Sequence, residues 1–406
     1  MTGVRSAAIG IWIGVGSRFE TPAQAGVSHF LEHLLFKGTP GRSAKAIAEH
    51  FDGLGASVNA GTGRDYTVLY TRVLDSHVEA AFDVLADMAV RPIYADLDQE
   101  RQVVIEEIAM YEDEPDEIVS DLASAAVFPD QPLGRPVIGY ADVIERISRD
   151  EIAGFHQAHY TAPNIVVAAA GAIEHAQVEE LAARVLAGLP ASGVPARIEA
   201  AVPGPPTTRI REKATEQVHL CLTGPGIDRD DPRRFAHAVL DTLLGGSMSS
   251  RLFQEIREKR GLSYSVGSYT VGYSDAGQVA VYLGTREDNL STACEVLGTE
   301  LRRLANELVP DEEIRRTKEH LKGRLVLGSE SPNNRMNRIG RSVLQGSELR
   351  SVDEWIAAIE EVEADEVREL ARTYWQPEGL SAAAVGPNGG AIERALSGLI
   401  PERSAA

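Results

Sequence analysis

The sequence predicts a mixed α/β fold made of two similar halves. At 406 residues the chain is too long for one ordinary hydrophobic core. Segments with helical periodicity alternate along it with short apolar segments typical of strands. An internal repeat is also visible: SHFLEHLLFKG at Ser28 matches AHAVLDTLLGG at Ala236, and the same offset matches FDGLGASVNA at Phe51 to KRGLSYSVGS at Lys259. We therefore expect the second half to repeat the fold of the first.

The elements of the first half follow from periodicity and turn residues. Alternating small and β-branched residues, or a Gly-rich turn between two apolar segments, predict strands over Val4–Gly16, Ala56–Val73 (a hairpin) and Ile165–Gly171. Apolar residues at helical spacing predict helices over Ser28–Gly38, Ser43–Leu54, Asp75–Met88, Asp98–Glu112 and Ile152–Tyr160. Leu189–Thr208 is dense in Pro, Gly and Ala without periodicity, which is typical of a linker. We place the two halves at residues 1–188 and 209–406.

Composition excludes several classes of function. The formal net charge of −20 argues against nucleic acid and anionic membranes as partners, whereas a basic peptide would be attracted. No apolar segment is long enough to span a bilayer. Cys221 and Cys294 lie far apart without a CxxC motif, so neither a disulfide framework nor a cysteine metal site is expected. These features favour a reducing compartment, and we expect the cytoplasm.

The helix predicted over Ser28–Gly38 carries the residues best suited to chemistry. His29 and His33 are four residues apart and Glu32 is three after His29, so the three share a helix face with Cβ atoms about 5–6 Å apart. Two neutral imidazoles suit Zn²⁺, and a carboxylate beside them can deprotonate a water on the metal. The alternative is a solvated helix face. The flanking residues argue against it, because they are almost all apolar: Phe30, Leu31, Leu34, Leu35 and Phe36.

A third protein ligand is expected on the acidic helix Asp98–Glu112. A zinc site with one open position has three protein ligands, and two histidines supply only two. Glu100, Glu106 and Glu107 are the candidates on this helix. The alternative is a merely solvated acidic face, and for Glu106 this is the preferred interpretation.

The motif SHFLEHLLFKGT resembles the M16 (pitrilysin-type) zinc metallopeptidases, and most closely the subfamily of mitochondrial processing peptidase and its bacterial relatives. The order His-x-x-Glu-His is the inverzincin signature. Tyr111–Asp121 (YEDEPDEIVSD) and Leu325–Arg341 (LVLGSESPNNRMNRIGR) also resemble the family, so the resemblance covers nearly the whole chain. The family usually has one more strand before Val4, which would place the true start upstream of Met1.

The resemblance narrows the choice of the third ligand. In the family this ligand is the second glutamate of a segment like ERxVIxxE, and ERQVVIEE fits with Glu100 as the first and Glu107 as the second. The two lie two helical turns apart on one face, whereas Glu106 is turned away by about 100°. The interval from His33 to Glu107 is slightly shorter than in the family, and we place the difference in the loop near 91–96.

The second half is expected to lack the metal site but to contact the substrate. Its counterparts of the metal residues are His237, Leu240 and Asp241. The family keeps an Arg and a Tyr spaced as in REKRGLSY, which here are Arg257 and Tyr264, and the resemblance implies that they reach the substrate at the zinc. Without the resemblance they would be interpreted as a basic helix end and a half-buried strand tyrosine.

The resemblance implies an α+β fold in which each half is a mainly antiparallel sheet with helices on one face, the halves forming a clamshell around a chamber. It implies a zinc endopeptidase that cleaves peptides or presequence-like extended segments. His29, His33 and Glu107 would hold Zn²⁺, and Glu32 would take a proton from the attacking water. Glu100 would contact one of the metal ligands and hold it in place without binding the metal itself.

Asn59 and Ala60 lie on a strand that pairs with extended substrate in the family, a mode that selects conformation more than sequence. The resemblance also implies a homodimer, and symmetric pairing is the commonest oligomeric arrangement of soluble proteins. Two other functions stay open: a noncatalytic peptide-binding or partner subunit of an M16-type assembly, and a module in which zinc is only structural.

Overall fold

The computed structural model describes residues 1, 3–191 and 200–400. Its strands are β1 (Ser6–Ile13), β2 (Gly38–Thr39), β3 (Arg42–Ser43), β4 (Ser57–Thr62), β5 (Thr67–Leu74), β6 (Ile165–Gly171), β7 (Thr208–Glu212), β8 (Val218–Gly226), β9 (Ser263–Gly272), β10 (Gly277–Thr285) and β11 (Ser381–Gly386). Its α-helices are α1 (Val27–Leu35), α2 (Ala44–Gly53), α3 (Val78–Val90), α4 (Leu97–Asp113), α5 (Pro115–Val127), α6 (Ala141–Arg146), α7 (Arg149–His159), α8 (His175–Ala187), α9 (Arg234–Leu244), α10 (Glu287–Asn306), α11 (Asp311–Ser329), α12 (Pro332–Leu344), α13 (Val352–Glu360), α14 (Ala364–Tyr374) and α15 (Gly389–Ser397). A π-helical turn occupies Phe253–Glu258.

The chain forms two compact units that differ from the contiguous halves expected from the sequence. The first comprises Met1–Ala109, Pro136–Glu199 and Val326–Arg350, and the second Met110–Arg135, Ala200–Leu325 and Ser351–Ala406. Each unit thus includes a segment from the other half of the sequence. Residues 192–199 of the expected linker lie outside the described residues, and β7 begins at Thr208.

The first unit is built on an antiparallel sheet with strand order β4-β5-β1-β6. One face of β1 contributes Ile9, Ile11 and Ile13 to the main core of the unit, where they join the apolar residues of α1 and α3. This alternation is the period-two pattern of a strand with distinct faces. Strand β4 forms one edge of the sheet, on the side where α1 packs.

The other face of this sheet is covered by α12, a helix from late in the sequence. Met336 of α12 is fully buried with Trp12 of β1, and the Trp12 indole N–H points at the Met336 sulfur over 3.4 Å. Gly340 allows the helix to approach closely, because a Cβ there would lie 2.2 Å from the Trp12 indole nitrogen. The expectation of helices on one face is therefore incomplete: the second face is also covered.

The second unit repeats this plan. Its sheet has the order β7-β11-β8-β10-β9, and β7 is the one parallel strand. Leu220 and Leu222 of β8 face the main core, whereas Cys221 between them faces α5, which brings Ile118 and Val119 to the opposite face. Without β7 the order matches that of the first sheet, strand by strand, and the predicted repeat is confirmed. In the described residues no helix combines the length and the apolar character needed to span a membrane.

Candidate active site

Helix α1 carries His29, Glu32 and His33, and a buried carboxylate fixes where it begins. Gly26 precedes the helix with φ of 96°, and a Cβ there would lie 2.7 Å from the Ile138 carbonyl oxygen, so glycine is required. Glu20 accepts hydrogen bonds of 2.8 Å from the backbone N–H groups of Gly26 and Ser28. A carboxylate at this position satisfies free N–H groups and stabilises the positive end of the helix dipole.

His29, His33 and Glu107 come together into one cluster. One potential ligand atom from each lies within 4.8 Å of the others. The Nε2 atom of His33 lies 3.3 Å from one carboxylate oxygen of Glu107, and Nε2 of His29 lies 3.8 Å from the other. In the part of the chain that the structure describes, this is the one group of three such residues close enough to hold a metal.

The charge of the His29 ring and the surroundings of His33 suit a metal. The pKa of His29 is lowered to about 4, mainly by burial and to a smaller extent by the neighbouring imidazole of His33. The His29 ring is therefore neutral at pH 7. The Nδ1 atom of His33 lies 3.5 Å from Glu100, a carboxylate that is 4% exposed. Such a contact favours the tautomer with the proton on Nδ1 and leaves Nε2 free to bind a metal.

Two supporting residues around this cluster were not identified from the sequence. Lys37 places its ammonium 2.8 Å from Glu100 and pairs with that buried charge. It stands four residues after His33, a spacing that could have revealed it. Thr62, the last residue of β4, donates a 2.5 Å hydrogen bond from its hydroxyl to Glu32, and nothing in the local sequence predicts this contact.

The environment of Glu32 suits a proton acceptor. Burial raises the pKa of its carboxyl, while hydrogen bonds from the hydroxyl and the backbone N–H of Thr62 and the charge of His33 act in the opposite direction. A carboxylate with a raised pKa is a stronger base at neutral pH than one in water. Glu32 therefore has the position and the environment of a general base beside the cluster.

The other carboxylates of α4 are arranged as the spacing predicts. Glu107 faces the histidines with its side chain 44% exposed, and Glu100, two helical turns earlier on the same face, is buried. Glu106 is exposed and has no contact with the cluster in the described residues. The donor set of two imidazoles and one carboxylate is one that Zn²⁺ takes in catalytic sites, so the residues fit this metal.

Asn59 and Ala60 lie on β4, an edge strand of the first sheet. The amide oxygen of Asn59 accepts a 2.9 Å hydrogen bond from the backbone N–H of Ala60. Edge strands offer backbone groups to which another extended segment can pair.

Arg257 and Tyr264 lie together in the second unit. The Arg257 guanidinium stacks over the Tyr264 ring, 4.4 Å from its centroid, and Tyr264 is 76% exposed. Arg257 lies in the π-helical turn, a feature that often marks functional sites. Both residues line a pocket of about 530 Å³, to which α5 contributes Asp116 and Glu117.

The repeat counterparts of the metal residues form no comparable cluster. His237 is 4% exposed, and burial lowers its pKa to about 4. Burial raises the pKa of the Asp241 carboxyl. Leu240, in the place of Glu32, is fully buried in the core of the second unit. This position therefore offers no proton acceptor.

Comparison with known proteins agrees with this geometry. Residues 2–140 match the family model described as insulinase (peptidase family M16), and residues 146–321 match the model described as the peptidase M16 inactive domain. An uncharacterized zinc protease of Streptomyces coelicolor is 44% identical over 91% of this chain and 82% of its own length. Another from Bacillus subtilis is 40% identical over 95% of this chain and 94% of its own.

A crystal structure of a protease from Helicobacter pylori shares the fold, with a TM-score of 0.89 and 19% identity over 95% of each chain. The cluster of His29, His33 and Glu107 lies within the segment matched by the first family model, and His237 and Asp241 lie within the segment matched by the inactive domain. With two relatives at 40% identity or more along nearly the whole chain, the protein belongs to the peptidase M16 family of zinc proteases.

Proposed function

We propose that the protein is a zinc-dependent endopeptidase that cleaves peptides or presequence-like extended segments. The observation that carries the proposal is the convergence of His29, His33 and Glu107 on one point, with the carboxylate of Glu32 beside it. Zinc protease relatives support the same activity. Three ligands with an adjacent general base are the composition of a hydrolytic site, whereas structural zinc sites have four protein ligands.

Each residue of the site has a distinct role in the proposed mechanism. His29, His33 and Glu107 would hold Zn²⁺, which when bound supplies a Lewis acid that polarises the scissile carbonyl and promotes ionisation of water. Glu32 accepts the proton of the attacking water and then delivers it to the leaving amine. The carboxylate of Glu100, 3.5 Å from Nδ1 of His33, would favour a proton on that nitrogen and so keep the opposite nitrogen available.

The substrate is proposed to bind as an extended strand. The β4 edge offers Asn59 and Ala60 for backbone pairing, which would select unfolded or extended segments over folded ones. Arg257, with a planar set of donors, would bind a substrate carbonyl or carboxylate, and Tyr264 would donate to the oxyanion that develops. The net charge of −20 would favour basic peptides.

The main alternative is a noncatalytic peptide-binding or partner subunit. The name of the family model for residues 146–321, an inactive domain, keeps this alternative open. The match concerns the half that lacks the metal cluster, however, and Glu32 and its neighbours lie in the other family model. A complete set of ligands with a general base in one chain favours catalysis.

The test is zinc content measured together with cleavage of a generic quenched peptide. Wild type should hold one zinc and cleave the peptide, and Glu32→Gln should keep zinc while losing about 10²–10⁴ in rate. Glu106→Gln, the same change at an exposed carboxylate of α4, is the matched control and should behave as wild type. A zinc-replete Glu32→Gln protein with wild-type activity would refute the mechanism.

Removal of zinc by a chelator distinguishes a catalytic zinc from a zinc that only stabilises the fold. If zinc only stabilised the fold, removal of zinc would unfold the protein, whereas a catalytic site loses activity with the fold retained.

We further propose a homodimer located in the cytoplasm. Analytical ultracentrifugation at working concentration would show an active monomer if the dimer proposal is wrong.

A further inference from the structure

We propose that Thr62 is a positioning residue for Glu32: its hydroxyl orients the carboxylate and links it rigidly to the edge strand β4. This inference rests on the proposed function, in which Glu32 is the general base. The direct observation is the 2.5 Å hydrogen bond from Thr62 Oγ1 to Glu32 Oε2. A hydroxyl that donates to a carboxylate forms one of the stronger hydrogen bonds in proteins.

Glu32 needs an external constraint to hold one orientation. A glutamate has three side-chain torsions, and the terminal torsion is broad, so α1 alone does not fix the carboxylate plane. The main-chain position is well fixed by buried neighbours, because Leu31 and Leu34 on the same helix are 1% and 0% exposed. The carboxylate is therefore the flexible part of the base, and the Thr62 hydroxyl acts on that part.

Thr62 is itself held firmly. A β-branched side chain has few accessible rotamers, which lowers the entropy cost of presenting its hydroxyl. In the sheet Thr62 pairs with Thr67 of β5, which is 1% exposed and donates a 2.8 Å hydrogen bond to the Val15 carbonyl oxygen. The donor thus stands on a strand end that is anchored to a buried neighbour.

The same strand would bind the substrate. Ala60 precedes Thr62 by two residues on β4, so their side chains point to the same face of the sheet. A peptide that pairs with this edge would immobilise the strand that holds the base. Orientation of Glu32 and placement of the substrate would then depend on one rigid element, which is the condition for a precisely aligned reaction.

The alternative is that Thr62 only satisfies a partly buried carboxylate and contributes to stability. Two variants and one control separate these roles. Thr62→Val keeps the β-branched shape without the hydroxyl, and Thr62→Ser keeps the hydroxyl. Thr71→Val is the matched control, because Thr71 is a fully buried threonine of the same sheet whose hydroxyl has no hydrogen-bond partner among the described residues.

We expect Thr62→Val to lower kcat about 10- to 100-fold, less than the loss of the base itself, with zinc content and KM unchanged. Thr62→Ser and Thr71→Val should stay within about threefold of wild type. Unchanged kcat in Thr62→Val would overturn the proposal. A loss of kcat accompanied by loss of zinc or by a raised KM would also overturn it, since that pattern indicates a structural role.

A second measurement does not depend on activity. Crystal structures of the metal-free proteins would compare the Glu32 side chain in wild type and in Thr62→Val. Wild type should show one conformer of Glu32, and Thr62→Val should show several conformers or a displaced one. An unchanged Glu32 conformer in the variant would refute the positioning role. If wild type failed to cleave any peptide, the proposed function would fail, while this comparison would still decide whether Thr62 orients Glu32.

Discussion

Replacing Glu107 by Gln should reduce zinc affinity far more than the same change at Glu106. The carboxylate of Glu107 lies 3.3 Å from Nε2 of His33 and 3.8 Å from Nε2 of His29, so its charge would act directly on the metal. Two unit charges 4 Å apart interact by about 4 kcal/mol at an effective dielectric constant of about 20, and this is a lower bound here because Zn²⁺ carries two charges. Because about 1.4 kcal/mol corresponds to a tenfold change, the complete loss of this charge corresponds to at least about three orders of magnitude in Kd.

The amide oxygen of the new side chain can still ligate weakly, so we expect a loss of about 10²–10³ in zinc affinity. Glu100→Gln should cost about 10–100-fold, as changes at residues that support metal ligands do. Glu106→Gln should stay within about twofold, because its side chain is exposed and away from the cluster.

The assay is competition for zinc against a chromogenic chelator at fixed pH and ionic strength. All three variants remove one negative charge from the same helix, so general electrostatics is controlled and only position differs. If Glu106→Gln were the variant that loses zinc, the assignment of the third ligand would be wrong by one residue. Wild-type affinity in Glu107→Gln would refute the three-ligand cluster itself.

Three further predictions concern other parts of the chain. Tyr264→Phe should slow kcat about 10²–10³-fold with KM retained, whereas Arg257→Ala should also raise KM; equal effects on both constants in both variants would contradict the separate roles. Glu20→Gln should lower the free energy of unfolding by about 1–3 kcal/mol in urea titrations, because its buried carboxylate caps α1 through two hydrogen bonds, and an unchanged midpoint would contradict this. Burial lowers the pKa of His156 to about 4, below the unfolded value of 6.5, so its contribution to stability is complete above pH 6.5 and is lost as pH falls toward 4. That loss amounts to about 3 kcal/mol, and His156→Gln should flatten the pH dependence of unfolding in this range.

Much of the fold and of the candidate site followed from local patterns in the sequence. Strand β6 has the predicted bounds, and β1, α1 and α4 differ from the predicted segments by a few residues at their ends. Because one face of each element is buried, apolar residues recur with the period of a helix or of a strand, and this period predicts the element before the tertiary structure is known. The repeat likewise predicted two sheets of matching strand order.

The sequence alone also determined which side chains α1 would present together. His29, Glu32 and His33 share a face because the helix geometry permits no other arrangement at that spacing. The spacing of Glu100 and Glu107 on α4 is set in the same way. Such short-range relations need only the helix itself, which the apolar flanks and glycine boundaries already specify.

Only the tertiary structure decided the contacts between distant segments. The hydroxyl of Thr62 meets Glu32, which lies 30 residues earlier, because the end of β4 is placed against α1. Met336 covers Trp12 across 324 residues, which no local pattern could reveal. The local sequence determines which face of each helix or strand is apolar, but any apolar partner of suitable shape could bury that face. The choice among partners is made by packing of the whole chain, and that choice placed α12 in the first unit and α5 in the second.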